Sequence, residues 1–145
     1  MYDMATPIQV TFDARNPAAL GAFWAQLLGY VEQPAPEGFD SWDDALAALG
    51  VPPERRDAAY AIVDPDGAAP RLYFQKVPEP KVAKNRVHLD VNVSRLGDAA
   101  DARQRVDAEV ERAVALGATR SRAFDQDDEY WVVMADPEGN EFCLQ

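Results

Sequence analysis

Two stretches of the chain alternate strictly between apolar and polar side chains: Ile8-Gln9-Val10-Thr11-Phe12-Asp13 and Val87-His88-Leu89-Asp90-Val91-Asn92-Val93. A period of two predicts half-buried strands. After each strand the period changes to that of a helix. Leu20, Phe23, Trp24, Leu27 and Leu28 form one apolar stripe, with Asn16 as N-cap, Pro17 in the first turn and Gly29 at the stop. Val106, Val110, Ala113 and Val114 form the other, in a helix that starts near Gly97–Asp101 and stops at Gly117.

Two turn signals follow, Asp64-Pro65-Asp66-Gly67 and Asp136-Pro137-Glu138-Gly139. Proline presets φ for a tight turn and glycine supplies a positive φ. Ala58–Val63 and Arg71–Gln75 flank the first turn, and Tyr130–Ala135 and Glu141–Gln145 flank the second, so both read as hairpins. A third strand in each half is expected at Val31-Glu32-Gln33 and Ala118-Thr119-Arg120. The chain is therefore an internal repeat of one β-α-β-β-β unit, of fold class α+β. The first module spans about Thr6 to Val77, the second about Asn85 to Gln145, and Pro78–Lys84 links them, all within one 145-residue domain. The first module also carries an insertion, a short helix capped by Ser41, with Trp42, Ala45, Leu46 and Leu49 inward and a stop at Gly50.

Alternation sorts side chains by face. Ile8, Val10 and Phe12, and Val87, Leu89, Val91 and Val93, are expected beneath the helices. Gln9, Thr11, Asp13, Arg71, Tyr73 and Gln75 then share the open face of one sheet. His88, Asp90, Asn92, Glu141, Cys143 and Gln145 share that of the other. On an uncovered sheet these sets would simply be solvated. Two sheets joined edge to edge would curl into a cup and turn the polar sets toward one another.

Composition narrows the partners. The net charge is −11, from 25 acidic and 14 basic residues. An acidic chain without a basic, aromatic-studded patch is a poor match for a phosphate backbone, so nucleic acid is not an expected partner. The basic stretch Lys76, Lys81, Lys84 and Arg86 reads as solvated linker. No apolar run approaches the roughly 18–20 residues of a membrane span. Met1-Tyr2-Asp3-Met4-Ala5 lacks the features of a secretory leader, and one cysteine, Cys143, fits a reducing compartment, so a cytoplasmic location is expected.

Val10-Thr11-Phe12-Asp13, Ala22–Gly29, Pro70–Pro78, Lys84–Asp90, Leu116-Gly117-Ala118 and Asp136–Phe142 together resemble the vicinal-oxygen-chelate superfamily, the glyoxalase, bleomycin-resistance and extradiol-dioxygenase group, and within it the glyoxalase-like domain proteins. The resemblance implies paired βαβββ modules forming a curved mixed-sheet cup with helices on its convex side, and a homodimer. It also implies, in metal-dependent members, four ligand positions on the first and last strands of each module. Carried onto this chain these are Gln9, Tyr73, His88 and Cys143. Glutamine replaces histidine in some family enzymes, but Tyr73 and Cys143 stand where the family has glutamate. The expectation is that the family's metal centre and any cofactor are missing, with a divalent metal on a shifted set (Gln9, His88 and Glu141) as the lesser alternative. A single histidine cannot build a two-histidine, one-carboxylate iron site, so extradiol dioxygenase chemistry is not expected.

The candidate ligand-binding residues are Gln9, Thr11, Trp42, Tyr73, His88, Asp90, Trp131, Glu141 and Cys143. His88 is a candidate general base, with Glu141 as second catalytic group; as plainly, it is a wall residue that orients a ligand. Cys143 reads better as a small packing residue than as a nucleophile. Tyr73 and Trp131 offer aromatic walls, though Trp131 suits a core equally. Trp42 and Phe39 could cover the cup or merely pack the insertion. Three functions stay open: a metal-independent binder of a small organic molecule, a lyase or isomerase using His88 and Glu141, and an interaction domain without catalysis.

Overall fold

The computed structural model describes residues 4–145, so Met1, Tyr2 and Asp3, which begin the segment read for a leader, lie outside the described residues. The chain divides into two compact units, one ending at Glu79 and the other spanning Pro80–Gln145. Each unit carries the strand–helix–three-strand order expected of the repeat.

The first unit contains β1 (Val10–Ala14), α1 (Pro17–Leu28), β2 (Val31–Glu32), α2 (Trp42–Ala48), β3 (Ala59–Val63) and β4 (Leu72–Lys76). Its sheet has the order β1-β4-β3-β2, with β1 parallel to β4 and the other pairs antiparallel. Asn16 caps α1 by accepting from the Ala19 N–H at 3.2 Å, and Gly29 ends it at φ 72°. The stripe of α1 packs as expected: Leu20, Phe23, Trp24 and Leu27 are buried with Ile62, Leu72 and Phe74 of the sheet. Phe12 lies between Trp24 and Phe74, its ring centroid 5.4 and 5.1 Å from theirs. Ser41 caps α2 through the Asp44 N–H. Of the insertion's four expected inward residues only Ala45 is buried; Trp42 and Leu46 are half-buried and Leu49 is exposed.

The second unit contains β5 (Leu89–Val91), α3 (Ala102–Leu116), β6 (Thr119–Gln126), β7 (Glu129–Ala135) and β8 (Glu141–Leu144), in the sheet order β5-β8-β7-β6. Again the first and last strands are parallel and the rest antiparallel. Val106, Val110 and Ala113 of α3 are buried with Val132, Met134, Phe142 and Leu144, whereas Val114 is largely exposed. The helix starts later than expected. Val93–Leu96 and Ala99–Asp101 form 3₁₀ turns instead, and the Arg105 guanidinium ties them down by donating to the carbonyls of Val93, Ser94 and Asp98.

Two expected inward residues point elsewhere. Ile8 and Val87 are 70% and 82% exposed. The ladders explain both. In β1 the pairing begins with Val10 opposite Leu72, and in β5 with Leu89 opposite Phe142, because β4 and β8 emerge from their hairpin turns only there. Ile8 and Val87 overhang the sheets with no partner strand beside them.

The two hairpin turns share one device beyond proline and glycine. The Asp64 carboxylate accepts from the N–H groups of Asp66, Ala68 and Ala69. The Asp136 carboxylate, 3% exposed, accepts from the N–H groups of Glu138 and Asn140 and from the Asn140 side-chain amide. Asp136→Asn should cost about 1 kcal/mol, because the new amide nitrogen would face the Asn140 amide donor while the two backbone bonds survive. Chemical denaturation of the variant checks this, and an unchanged midpoint would show the carboxylate's second oxygen to be dispensable.

Candidate functional site

Side chains on the open face of the first sheet bond to one another in two groups. Parallel register sets Thr11 beside Tyr73 and Asp13 beside Gln75. Gln75 donates to Asp13 at 2.7 Å. Arg71, which opens this row on the segment before β4, donates to Gln9 Oε1 and to Gln33 Oε1, both at 2.6 Å, and its guanidinium lies 5.1 Å from the Tyr73 ring centroid. Gln9 in turn donates to the Thr11 hydroxyl at 3.4 Å. The side chain of Gln9 is thus held by Arg71. Alternation puts Arg71 on this face but does not give its two glutamine partners; a lone arginine among acceptors is the signal for them. Trp42 donates its indole N–H to the Gln33 carbonyl at 2.7 Å, which pins α2 to the edge of the sheet. Phe39, beside it, is 40% exposed.

In the second unit the same logic brings His88, Asp90 and Cys143 together. The ladder pairs Asp90 directly with Cys143, so their side chains rise from one face side by side, and His88 stands two residues earlier on that face. The imidazole Nδ1 lies 3.1 Å from Asp90 Oδ1. One ligand atom from each of the three falls within 4.8 Å of the others. His88 and Asp90 are exposed, and Cys143 is 7% exposed. Burial, with the charge of Asp90 and a hydrogen bond to it, pushes the Cys143 thiol up to about 11, against a smaller pull downward from Lys84. It is a neutral thiol at pH 7 and no nucleophile in this state.

Glu141 shares that face but has fixed partners. Burial alone would raise its pKa. The Asn85 N–H at 2.9 Å and the Lys81 ammonium at 3.0 Å outweigh burial and bring it down to about 2. Lys81 is therefore no solvated linker residue: it is mostly covered and anchors the linker to β8. Lys76 is likewise paired, with Asp57.

The remaining aromatic candidate, Trp131, stacks on Phe124 across the β6–β7 ladder at 5.0 Å and 9°, and the Arg122 guanidinium lies 4.7 Å from the Phe124 centroid. Trp131 is half-buried on the face opposite to Val132 and Met134, outside the core. It borders a groove of about 560 Å³ at the end of the sheet, together with Asn92, Ser94, Arg103, Tyr130 and Gln145. Gln145 donates to Asn92 at 2.8 Å, and Arg103 lies over the Tyr130 ring while paired with Asp125.

Known structures and families agree with this architecture. A possible glyoxalase from Bacillus cereus superposes with a TM-score of 0.61 at 13% identity, covering 98% of this chain and 99% of its own. A glyoxalase/bleomycin resistance protein/dioxygenase family enzyme from Burkholderia phytofirmans gives 0.59 at 19% identity, with 94% of each chain covered. A mutant of the fosfomycin resistance protein FosX from Listeria monocytogenes, complexed with Mn(II) and 1S,2S-dihydroxypropylphosphonic acid, gives 0.62 at 12% identity, covering 98% of this chain and 90% of its own. At such identities the likeness is one of fold. In sequence, no curated protein matches. No helix among the described residues is long and apolar enough to cross a membrane. The glyoxalase-like domain family matches residues 9–145, nearly the whole chain, and the protein belongs to that family.

Proposed function

We propose that this protein binds a small organic molecule in the groove at the end of its second sheet, beside the start of α3, and does so without the oxygen-rich metal centre of its metal-dependent relatives. The observation that carries the reading is a groove of about 560 Å³ bordered by Tyr130 and by Trp131, which stacks on Phe124, with the neutral hydrogen-bonding side chains of Asn92, Ser94 and Gln145 beside the charged Arg95, Arg103 and Asp125. An aromatic wall with a few convergent polar groups, at a volume within the usual range, is what a small-molecule site requires. A hard cation such as Mn(II) needs mostly oxygen donors. At the four family positions this chain offers Gln9, held by Arg71, with Tyr73, His88 and Cys143, and this set does not fit such an ion. No step of the proposed function passes through it.

The test is a ligand-observed NMR screen of small aromatic and oxygenated compounds against the protein and its Trp131→Ala variant. Hits should bind the variant at least about 10-fold more weakly, since an aromatic wall contributes on the order of 1 kcal/mol or more per contacting ring. Hits indifferent to Trp131 would place the binding surface elsewhere.

A second reading, a lyase or isomerase, is favoured by one feature: Asp90 orients the His88 imidazole through Nδ1, leaving the other ring nitrogen to exchange a proton with a ligand. Glu141 then serves as a positioning residue, because a carboxylate of pKa about 2 is a weak base at neutral pH. If a bound compound is turned over, His88→Gln should lower kcat by about 100-fold or more with affinity nearly unchanged. Loss of affinity with no turnover in either protein would leave the binder reading standing alone.

A further inference from the structure

We propose that His88, Asp90 and Cys143 form a binding site for a thiophilic divalent cation of the Zn(II) type, contained within the second module. The proposal is independent of the small-molecule reading and rests on geometry and donor chemistry. Parallel pairing of β5 with β8 sets Asp90 and Cys143 side by side, and strand alternation brings His88 onto the same face. One nitrogen, one oxygen and one sulfur atom thereby converge within 4.8 Å. Tetrahedral zinc, with bonds of roughly 2.0–2.3 Å, spaces its ligand atoms at about 3.3–3.8 Å, so a modest closing of this cluster completes three corners. His88 Nδ1 and Asp90 Oδ1 are 3.1 Å apart, close to the spacing of two ligand atoms on one tetrahedral ion, which would take the place of the hydrogen bond between them.

The donor types decide which ion is taken. A thiolate beside an imidazole favours zinc, cobalt or cadmium over magnesium or manganese, reversing the preference of an oxygen-only site. Binding exchanges the thiol proton for a metal–sulfur bond: Cys143 S–H is broken, the proton passes to solvent, and no electron is transferred. Three protein ligands leave the fourth corner to water or to an oxygen of a bound molecule, as in open zinc sites. Exposed His88 and Asp90 supply the approach. His88 and Cys143 stand at two of the four positions that the family resemblance implies for metal ligands; Asp90 replaces Gln9 and Tyr73 in the set, so the donors differ in type from the family's and all come from the second module.

Cobalt titration tests this without any organic ligand. Cys143 is the sole cysteine, so a near-ultraviolet sulfur-to-cobalt charge-transfer band can arise from it alone. The metal-free protein should take up one equivalent of Co(II) with that band and the strong visible absorption of four-coordinate cobalt. Zn(II) should displace it at stoichiometric levels, and Mg(II) or Mn(II) should not at 100-fold excess. Cys143→Ser should abolish the band and weaken zinc binding at least about 10-fold. Because Cys143 is buried and its variant could misfold, the exposed Asp90→Asn is the second arm: it should weaken zinc binding about 10-fold while keeping the band. Gln9→Ala should leave affinity unchanged. The proposal is overturned by no cobalt uptake, by uptake without the band, by Mn(II) competing as well as Zn(II), or by equal loss of binding in Gln9→Ala.

Discussion

Gly21→Ala is expected to destabilise the first module by about 3 kcal/mol, although alanine in place of a mid-helix glycine ordinarily gains up to about 1 kcal/mol. Gly21 lies on the buried side of α1, where a Cβ would stand 2.2 Å from Tyr60 Cδ1, 2.7 Å from Cε1 and 3.3 Å from Phe74 Cδ2. None of these neighbours can yield cheaply. Phe74 is fully buried and stacked on Phe12. Tyr60 is the cross-strand partner of Phe74 and would have to leave the helix, giving up the contact that covers it. A denaturation series checks the sign directly, and a Tyr60→Ala background identifies the cause. With the ring gone, Gly21→Ala should be neutral or mildly stabilising, giving a coupling above about 2 kcal/mol. A gain in stability in the native background would mean that α1 can shift along the sheet, contrary to the packing of Leu20, Trp24 and Leu27.

Gly21 also shows what the sequence could and could not reveal. The helix was legible from its stripe, its Asn16 cap and its Gly29 stop, because each depends on neighbours in the chain. That Gly21 is a point of close approach was not, since it depends on where Tyr60 arrives from β3. The same division runs through the fold. Asp64 and Asp136 signalled their hairpins locally. The strand β6 was seen only at Thr119 and Arg120, because a bulge between Arg120 and Arg122 breaks the alternation that would have extended it. A readable signal was Asp127-Asp128, whose φ values of 54° and 63° suit a two-residue hairpin turn that aspartate tolerates.

The site divides in the same way. Alternation correctly assigned His88, Asp90, Glu141 and Cys143 to one face, since facing is a property of a single strand. Adjacency is a property of two strands. That Asp90 stands beside Cys143 follows from the parallel register, which in turn follows from where the Asp136 turn releases β8. That Gln9 is tied to Arg71 follows from the equivalent register in the first module. The two halves repeat a fold, but one open face is closed by an arginine bridging two glutamines and the other gathers a histidine, a carboxylate and a thiol. The chemistry differs because side chains on a common scaffold are free to vary wherever the core does not use them.

Acid should remove the stability that Glu141 contributes to the second module. Glu141 has its pKa lowered from 4.5 to about 2 by Asn85 and Lys81 against the opposing effect of burial. The folded pKa is depressed, so the unfolded chain binds the extra proton first. The contribution is complete above about pH 4.5, the unfolded value, and fades as pH falls toward 2. Such a lowering of the pKa corresponds to roughly 3 kcal/mol, reduced to on the order of 2 kcal/mol because the carboxylate is partly exposed and screened. Glu141→Gln should therefore cost about 2 kcal/mol at pH 7, where it leaves the mostly covered Lys81 ammonium without its counter-charge. The gap to the native protein should narrow progressively from pH 4.5 downward, because only the native protein has this proton to gain. Other carboxylates, Asp57 and Asp64 among them, are depressed too and act with the same sign in both proteins, so the difference between the two pH profiles isolates Glu141. Parallel profiles, with no narrowing below pH 4.5, would show that Lys81 and Asn85 do not hold this carboxylate in solution, and that the linker is not anchored to β8 through it.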